Sequence, residues 1–598
     1  MVLAMASPNQ ILHDVFGYTS FRPGQEEIID FILGGENVLA VMPTGSGKSL
    51  CYQIPALLLE RPTIVISPLK ALMDDQVAGL RADGVEAASI HSGMGRDEQI
   101  AEWRKATSGK AKLLYLAPER LMNENMLAAL HRLDPHLFVV DEAHCISKWG
   151  PSFRPEYEQL SRLRELFPDA RIAAFTATAD KATRADIAQK LFAGLGRTIV
   201  HGFDRPNLRL GVAHKTHWSK QLLAFLSDKR GQSGIVYCLS RKFTDEVANF
   251  LQEEGLNAIP YHAGQDPETR KRNQDRFMSE NEAVMTATIA FGMGIDKPDI
   301  RYVCHLNLPA SMEAYYQEIG RAGRDGAPAE TLLLYGYDDL RLRRTFLEED
   351  GKDEEHRRRE HRRLDALIAY CESAECRRIA LLGYFDEKTG PCGNCDNCLN
   401  PPTLVEATRQ AQMLLSAIHR TGQAFGAGHV IDVLLGAETD KVRDRGHDRL
   451  PTYGVGKDFP KPYWQSLVRQ AVAGGQIAIN IAKYGGLEIT ERGRAILKGE
   501  TPFFFREPGK KTRATRRAQR EAASAGVDAA LLARLKELRL ALARAQQVPA
   551  YVVFPDATLI EMARARPASL EEMRQISGVG PRKLEQFGAQ FLAVTRPA

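Results

Sequence analysis

Two features of this sequence are suited to phosphate chemistry. Asp141 and Glu142 directly follow the apolar run 137–140, at the point where a buried strand would meet a loop. The glycine-rich Walker-type loop 44–49 (TGSGKS) lies between another apolar run and an apolar helical stretch. Backbone N–H groups of such a loop surround phosphates, and acids at a second strand end hold Mg²⁺. Together the two features predict a site for a nucleotide and Mg²⁺.

Each residue of this site has an expected role. Lys48 reaches the terminal phosphates, while Ser49 and Asp141 hold Mg²⁺. Glu142 orients and deprotonates the attacking water. The strict loop pattern has Gly where this chain has Met42, so a glycine-rich helix start is the alternative for the loop alone. The acid pair at a second strand end favours the nucleotide site. The loop residues predicted to bind the nucleotide are Thr44, Gly45, Ser46, Gly47, Lys48 and Ser49.

Two arginines three residues apart, Arg321 and Arg324, are candidates for the positive charge that the γ-phosphate needs. On a helix this spacing places both guanidinium groups on one face. Surface ion pairing is the alternative role. A cation supplied across a cleft can raise the rate of phosphoryl transfer by orders of magnitude. The predicted catalytic set is therefore Lys48, Asp141, Glu142, Arg321 and Arg324.

The segment after the acid pair combines aromatic and basic side chains. Trp149, Phe153 and Arg154 lie in a stretch that also contains Gly150 and Pro151. Stacking on unpaired bases requires aromatic rings beside positive charge. Buried packing of the two rings is the alternative, and the loop character of the stretch favours contact with nucleic acid.

Composition sets outer limits on the protein. The chain has 598 residues, 44% of them hydrophobic, which suggests several well-packed domains. Its net charge of +4 means that any surface for nucleic acid must be a local patch. No apolar run approaches the roughly 18 residues needed to cross a bilayer. The N-terminus lacks the pattern of a signal peptide, so we expect a soluble, intracellular protein.

Short apolar runs alternate with helical stretches over residues 37–200 and again over 234–335. Each series predicts parallel βαβ units, and hence two doubly wound domains with a cleft between them. Both series contain a strand that ends in a His-x-Gly triplet, at His91 and again at His262, which suggests that the lobes are related. The predicted strands are 37–42, 63–67, 113–116, 137–140 and 171–175, then 234–239, 258–261, 283–287, 301–306 and 331–335.

These residues resemble the RecQ family of superfamily 2 DNA helicases, and the match covers nearly the whole chain in order. The stretches 16–18 (FGY) and 21–25 (FRPGQ) resemble the family's adenine-reading motif. The resemblance implies that Tyr18 stacks on adenine, that Gln25 hydrogen-bonds to it, and that Arg22 belongs to the same site. It also implies that Arg324 is the arginine finger and that Arg321 supports it. Further motifs match at 67–72, 116–120, 175–178, 287–296 and 316–324.

The resemblance implies an α/β fold of two tandem RecA-like parallel-sheet lobes. A zinc-binding helical subdomain, a winged-helix domain and a small all-α terminal domain, the helicase-and-RNase-D domain, follow them. The expected boundaries are 1–205 and 206–340 for the lobes, 341–402 for the zinc subdomain, 403–502 for the winged helix, 503–527 for a basic linker and 528–598 for the terminal domain.

Four of the nine cysteines, Cys376, Cys392, Cys395 and Cys398, lie close together in the expected zinc subdomain. Disulfides are disfavoured in a reducing cytoplasm, and four thiolates suit tetrahedral Zn²⁺. An iron–sulfur cluster is the alternative, because C-x₂-C-x₂-C also begins a ferredoxin motif. The residues that follow are Leu-Asn-Pro-Pro, without the fourth Cys of that motif, so a closed structural zinc site is favoured.

The activity implied by the resemblance is an ATP-dependent DNA helicase in DNA repair and recombination, with 3′→5′ polarity. Its cofactors would be ATP, Mg²⁺ and Zn²⁺. Lys483 and Tyr484, at the turn of a predicted hairpin over 476–490, would separate the duplex. Single-stranded and partly duplex DNA are the expected partners and a single-strand-binding protein is a candidate. A monomer in the cytoplasm, associated with the nucleoid and not with a membrane, is expected.

Two rival functions are compatible with parts of this sequence. An RNA helicase would share the two lobes, and a DNA-binding scaffold with a vestigial ATPase would share the C-terminal units. The intact catalytic set argues against the scaffold.

The aromatic segment departs from the family pattern. Where the family usually has QWGHDFR, this chain has Lys148, Pro151 and Ser152 around Trp149 and Phe153. Pro151 restricts the backbone of this loop, which makes the coupling between ATP and DNA the open question.

Overall fold

The computed structural model describes residues 7–147, 154–292, 297–349, 354–480, 486–507, 528–546, 548 and 550–596. Within them, no helix combines the length and the apolar character that a membrane crossing requires.

The first lobe is built on a seven-stranded parallel sheet with the strand order β3-β4-β2-β5-β6-β1-β7. Its strands are β1 (Val38–Val41), β2 (Thr63–Ile66), β3 (Ala87–Ile90), β4 (Leu113–Leu116), β5 (Leu137–Val140), β6 (Arg171–Thr176) and β7 (Arg197–Val200). The short apolar strands β1 to β5 are buried along their whole length, as expected for a parallel sheet covered by helices on both faces. All carboxyl ends of a parallel sheet meet at one edge, which places the loops after β1 and β5 together.

The helices of this lobe cover both faces of the sheet. They are α1 (Pro8–Asp14), α2 (Gln25–Leu33), α3 (Leu50–Leu58), α4 (Lys70–Ala82), α5 (Arg96–Thr107), α6 (Pro118–Leu121), α7 (Glu124–Leu133), α8 (Pro155–Glu158), α9 (Leu163–Leu166) and α10 (Lys181–Phe192), with single 3₁₀ turns at Ala143–Ile146 and Gln159–Arg162.

The second lobe has a six-stranded parallel sheet with the order β10-β11-β9-β12-β13-β8. Its strands are β8 (Leu208–His214), β9 (Ser233–Tyr237), β10 (Ala258–Tyr261), β11 (Val284–Ala287), β12 (Ile300–His305) and β13 (Ala329–Tyr335). Its helices are α11 (Trp218–Leu226), α12 (Arg241–Glu253), α13 (Pro267–Ser279) and α14 (Met312–Ile319).

The two His-x-Gly triplets confirm that the lobes are built alike. His91 follows the edge strand β3 and His262 follows the edge strand β10. The Nε2 atom of each ring contacts an Asp on the helix that precedes its strand, 2.9 Å to Asp74 on α4 and 3.1 Å to Asp245 on α12. In each triplet the glycine N–H donates to the Nδ1 atom of the same ring, at 3.2 Å. The same local motif therefore terminates an edge strand in both lobes.

Three smaller units follow the second lobe. The first contains α15 (Tyr337–Glu349), α16 (Glu354–Glu372), α17 (Arg377–Tyr384) and α18 (Asp396–Leu399). The second contains β14 (Thr403–Glu406), α19 (Thr408–Arg420), α20 (Ala427–Leu435), α21 (Asp440–Asp444), a 3₁₀ turn at His447–Arg449, α22 (Lys461–Ala473), β15 (Ile477–Asn480), β16 (Gly486–Ile489), α23 (Glu491–Leu497) and β17 (Phe504–Glu507). The third contains α24 (Ala529–Gln546), α25 (Ala550–Val553), α26 (Asp556–Ala565), α27 (Leu570–Arg574) and α28 (Pro581–Thr595).

One predicted boundary is wrong. The basic linker was expected to begin at 503, but Phe504–Glu507 form β17, which pairs antiparallel with β14. Phe505 is buried against the winged-helix core, and the Arg506 guanidinium donates to Asn397 at 2.7 Å. The high density of Arg and Lys from Arg506 onwards predicted a linker, so the short strand β17, which belongs to this unit, was not predicted.

Candidate nucleotide site and zinc centre

The Walker-type loop connects β1 to α3 at the carboxyl edge of the first sheet. Gly45 and Gly47 have φ values of +82° and +80°, which glycine adopts without strain. A Cβ atom on Gly47 would also lie 2.5 Å from the side-chain nitrogen Nε2 of Gln25, which would have to move. The Lys48 ammonium group lies 3.3 Å from the carbonyl oxygens of Met42 and Pro43. The loop thus has the predicted form.

The acid pair lies at the end of β5, two strands away from β1. The Asp141 N–H donates to the Ile66 carbonyl at 2.9 Å, and the Tyr157 hydroxyl donates to the Asp141 carbonyl at 3.0 Å. Glu142 has a φ of +50°, an uncommon conformation for a residue with a side chain. Its N–H donates to the Asp141 carboxylate at 2.9 Å. Such strained backbone is typical of functional sites.

Different charged neighbours give the two acids different electrostatic properties. Burial and the nearby Glu142 charge raise the pKa of Asp141 to about 7. Burial also opposes ionisation of Glu142, but its contact with His144 outweighs burial and lowers the pKa of Glu142 to about 2. The Glu142 carboxylate and the His144 ring form an ion pair at 3.3 Å. Asp141 is therefore the carboxyl that a divalent cation stabilises most, while Glu142 is already ionised.

Arg321 and Arg324 follow α14 of the second lobe and enter the same cleft. The cavity between the lobes measures about 360 Å³. One buried polar atom of a lining residue, Nε of Arg321, has no hydrogen-bond partner among the described residues, and a bound phosphate would supply one. The residues that line the cavity include Tyr18, Arg22, Gln25, Thr44, Gly45, Gly47, Lys48, Ser49, Asp141, Glu142, Arg321 and Arg324.

The residues predicted to read adenine lie against the Walker-type loop. The Gln25 side-chain amide donates to the carbonyls of Ser46 and Gly47, at 3.1 Å each, and its oxygen accepts from the Arg22 N–H at 2.8 Å. The Arg22 guanidinium donates to the Gly45 carbonyl. All of these contacts lie beside the phosphate-binding loop. The roles of Tyr18 and Gln25 towards adenine remain predictions.

A chain of polar contacts joins the acid pair to the second lobe. His144 Nδ1 lies 2.9 Å from the Thr176 hydroxyl, which donates to the Thr178 carbonyl at 3.2 Å. The Thr178 hydroxyl accepts a 2.6 Å hydrogen bond from the Gln317 amide on α14. No individual role was predicted for His144 or Gln317, although His144 lies two residues after the acid pair and Gln317 lies in the motif at 316–324.

The predicted contacts to DNA are only partly within the described structure. Trp149, Phe153, Lys483 and Tyr484 lie outside the described residues. Arg154 is partly buried, and its guanidinium donates to the Pro68 carbonyl at 3.0 Å. The predicted hairpin is confirmed on both sides of its turn, because β15 pairs antiparallel with β16 and Asn480 lies opposite Gly486.

The terminal helical unit covers one side of the cavity, which the sequence did not indicate. Tyr551, Pro555 and Lys583 contribute to the cavity lining. Lys583 forms a 3.0 Å ion pair with Asp83 of the first lobe.

The same unit contacts both lobes. The Gly578 N–H donates to the Gly17 carbonyl at 3.0 Å, and a Cβ on Gly17 would lie 2.4 Å from the Gly580 nitrogen. Arg539 donates to Asn281 of the second lobe at 3.1 Å. The two glycines of the stretch 578–580 suit either a hairpin whose N–H groups bind phosphate or a tight turn between helices. Its close packing against Gly17 supports the tight turn.

Cys376, Cys392, Cys395 and Cys398 form a compact cluster with every pair of sulfur atoms within 4.8 Å. The closest pairs lie at 3.4, 3.9 and 4.0 Å. Four thiolates around Zn²⁺ at a Zn–S distance of about 2.3 Å lie about 3.8 Å apart, so the cluster fits this ion.

Backbone N–H groups donate to the sulfur atoms of this cluster. The donors are Arg377, Cys392, Asn394 and Cys398, at 3.3–3.4 Å. Burial opposes ionisation of Cys376, but hydrogen bonds, with the N–H of Cys392 foremost, outweigh it and lower the pKa of Cys376 to about 7. Burial raises the pKa of Cys392 and of Cys395. Zinc binding requires deprotonated thiols, so a bound cation would be needed to hold these two as thiolates.

Family models match the chain from one end to the other. In chain order they are the DEAD/DEAH box helicase model at 22–187, the helicase conserved C-terminal domain at 214–326, the RecQ zinc-binding model at 337–399, the RQC domain at 401–514 and the HRDC domain at 528–595.

Curated relatives match over nearly the full length. The chain is 45% identical to the ATP-dependent DNA helicase RecQ of Haemophilus influenzae, over 98% of this chain and 95% of that relative. It is 44% identical to the protein of the same name from Pasteurella multocida, over 98% and 93%. With the Bacillus subtilis protein of that name it shares 38% identity, over 97% of both chains.

Proposed function

We infer that this chain, which belongs to the RecQ family, is an ATP-dependent DNA helicase that hydrolyses ATP with Mg²⁺ to unwind duplex DNA and carries a structural Zn²⁺. The observation that carries this inference is the cavity between the lobes, which residues of both lobes line. One lobe contributes the Walker-type loop and the acid pair, and the other contributes Arg321 and Arg324. A site divided in this way can act only when the lobes close, which links hydrolysis to movement.

In the proposed reaction, residues of both lobes surround the γ-phosphate. Lys48 and the loop N–H groups bind the phosphates, and Ser49 and Asp141 would hold Mg²⁺, which neutralises charge on the phosphate oxygens. Glu142 accepts a proton from water as the water oxygen bonds to the γ-phosphorus, and the bond from that phosphorus to ADP breaks. Arg324 stabilises the charge that develops, with Arg321 beside it.

The low pKa of Glu142 is compatible with this role. Phosphoryl transfer has a loose transition state, so the water loses its proton late. The carboxylate therefore needs to be ionised and correctly placed more than it needs to be strongly basic. The left-handed backbone at Glu142 and its ion pair with His144 fix that placement.

Coupling to DNA is proposed to pass through the segment between the acid pair and Arg154. The Arg154 guanidinium joins this segment to Pro68, which stands in a motif implied to track the DNA strand. Trp149 and Phe153 would stack on bases, and Lys483 and Tyr484 would separate the strands at the hairpin turn. The 3′→5′ polarity and the role in repair and recombination rest on family membership.

The proposed partners are single-stranded and partly duplex DNA and, as a candidate, a single-strand-binding protein. We propose a monomer that acts in the cytoplasm at the nucleoid. The proposed domain boundaries are those given above, with the winged-helix unit extended to Glu507 because β17 belongs to it.

The proposed function is tested by measuring ATP turnover without nucleic acid, with single-stranded DNA and with RNA. We expect DNA to stimulate turnover more than RNA does. Unwinding should require ATP and a 3′ single-stranded overhang. Stimulation by RNA alone would favour the RNA helicase, and no turnover under any condition would favour the scaffold with a vestigial ATPase.

The ion pair between Lys583 and Asp83 leads to a prediction about nucleotide exchange. Lys583→Glu places two negative charges together and should release the terminal unit from the cavity. An ion pair of this kind contributes about 1 kcal/mol, so the nucleotide should dissociate roughly fivefold faster. Stopped-flow measurement with a fluorescent nucleotide tests this.

A charge swap provides the control for that variant. Lys583→Glu combined with Asp83→Lys restores an ion pair of opposite orientation and should return the dissociation rate towards that of the original protein. Equal rates for the single variant and the original protein would show that the terminal unit does not control nucleotide exchange.

A further inference from the structure

Arg205 lies in the segment 201–207 that leads from β7 of the first lobe to β8 of the second. Its guanidinium contacts the two halves of the nucleotide site at once. Nη1 donates to the carbonyl of Thr44, the first residue of the Walker-type loop. The other acceptors follow α14 of the second lobe: the carbonyls of Gly320 at 3.3 Å, Ala322 at 3.0 Å and Gly323 at 2.7 Å.

The two halves of the site are in direct contact around this guanidinium. A Cβ atom on Gly45 would lie 3.2 Å from the Cα atom of Arg324 and 3.3 Å from Arg205 Nη1. A Cβ atom on Gly320 would lie 3.3 Å from the Thr44 side chain. A Cβ atom at either glycine would require its neighbours to move by a few tenths of an ångström. The Walker-type loop and the arginine segment are therefore closely packed against each other.

The segment that carries Arg205 is itself fixed to the second lobe and the zinc subdomain. The Tyr316 hydroxyl donates to the Phe203 carbonyl at 2.9 Å, and the Phe203 ring stacks on Phe385 with centroids 4.4 Å apart. Arg378, two residues after the zinc ligand Cys376, donates to the Arg205 carbonyl at 3.0 Å. Arg205 thus extends from a rigid support towards the loop of the first lobe.

The acceptor set explains why this residue is an arginine. Among the described residues its hydrogen-bond acceptors are all backbone carbonyls. A planar guanidinium with five N–H donors can reach several carbonyls in fixed directions, which a lysine ammonium group cannot. The carbonyls after α14 also carry the negative end of the helix dipole. Burial lowers the pKa of Arg205 to about 10, which still leaves it charged near neutral pH.

We propose that Arg205 is a positioning residue for ATP hydrolysis, which holds the segment carrying Arg321 and Arg324 at a fixed distance from the Walker-type loop. It does not contact the reacting atoms in this role. The Thr44 carbonyl lies on one side of the cleft and the carbonyls after α14 lie on the other. Arg205 therefore fixes the position of the arginine finger relative to the γ-phosphate. The proposal rests on the nucleotide site proposed above.

Steady-state ATP turnover with saturating single-stranded DNA tests this role. Arg205→Gln keeps a donor but loses the charge and the forked geometry. A displacement of catalytic groups by about 1 Å can lower a rate roughly 100-fold, and we expect a kcat loss of that order. The KM for ATP should change less than threefold, because Lys48 and the loop N–H groups are unchanged. Arg205→Lys should retain part of the activity.

Arg209→Gln is the matched control, because Arg209 lies four residues further on, in β8, and forms a partly exposed ion pair with Glu330. It should match the original protein in kcat and KM. Thermal unfolding and zinc content measured for every variant separate misfolding from misplacement.

Two outcomes would overturn the proposal for Arg205. One is a kcat within twofold of the original value in folded Arg205→Gln. The other is a loss confined to KM, which would mean that Arg205 only shapes the loop for ATP binding. Lys48→Ala, measured in parallel, distinguishes this failure from failure of the nucleotide site. Unchanged turnover in Lys48→Ala would contradict the site itself, whichever result Arg205 gives.

Discussion

Glu142→Gln is expected to lower the DNA-stimulated kcat for ATP roughly 10³-fold, within the range for loss of a general base. Glutamine has nearly the same shape but cannot accept the proton of the attacking water. The residues that bind the phosphates are unchanged, so the affinity for Mg²⁺-ATP should remain within about threefold. Steady-state turnover and equilibrium binding of a fluorescent ATP analogue measure the two effects separately.

A matched control for this variant is available on the same lobe. Glu86 is an exposed acid just before β3, and Glu86→Gln should leave turnover and binding unchanged. Turnover of Glu142→Gln within tenfold of the original protein would assign the base to another group. A parallel loss of ATP binding would show that the substitution disturbs the backbone at Asp141.

The second large effect is expected from loss of the zinc centre. Cys395 is fully buried, and Cys395→Ala removes one of the four sulfur atoms around the ion. Structural Zn²⁺ can contribute on the order of 10 kcal/mol to the folding of its domain. We expect Cys395→Ala to be purified with little zinc and to unfold at a clearly lower temperature. Metal analysis and thermal unfolding measure these quantities.

Cys371→Ala controls for the loss of a buried sulfur alone. Cys371 is also fully buried but does not belong to the cluster. Its replacement should cost about 1–2 kcal/mol, as expected for a small cavity, and should leave the zinc content unchanged. One full equivalent of zinc in Cys395→Ala would rule out the four-cysteine site. If the original protein contained iron and absorbed visible light, the site would have to be assigned to an iron–sulfur cluster and not to zinc.

The zinc centre and the nucleotide site are connected through the chain. Cys376 immediately precedes α17, and Arg378 on that helix holds the backbone of Arg205 and donates to the Leu208 carbonyl at 2.6 Å. Loss of zinc should therefore lower ATP turnover as well as stability. This connection gives a structural reason why a zinc subdomain directly follows the second lobe.

Much of the fold could be predicted from contiguous residues. Runs such as 137–140 are apolar throughout because strands of a covered parallel sheet are buried on both faces, and they fall where predicted. Strand β7 is an edge strand with exposed residues, so it has no apolar run and was not predicted. The dense charges of both signs over 341–363 are typical of a solvated helical face. That holds for Arg358, but Arg363 is buried against Glu313 at 3.1 Å.

The sequence by itself determined the chemistry of this protein: the Walker-type loop, the acid pair, the arginine pair and the cysteine cluster. Each of these features consists of particular residue types a few positions apart. The chemistry of these residue types does not depend on where in the chain they lie. Tertiary structure alone decided how these parts meet. Thr44 and Arg205 are 161 residues apart in the chain, and Gly17 meets Gly580 of the terminal unit. Such contacts arise from the packing of whole units, and a backbone carbonyl acceptor has no signature in the sequence.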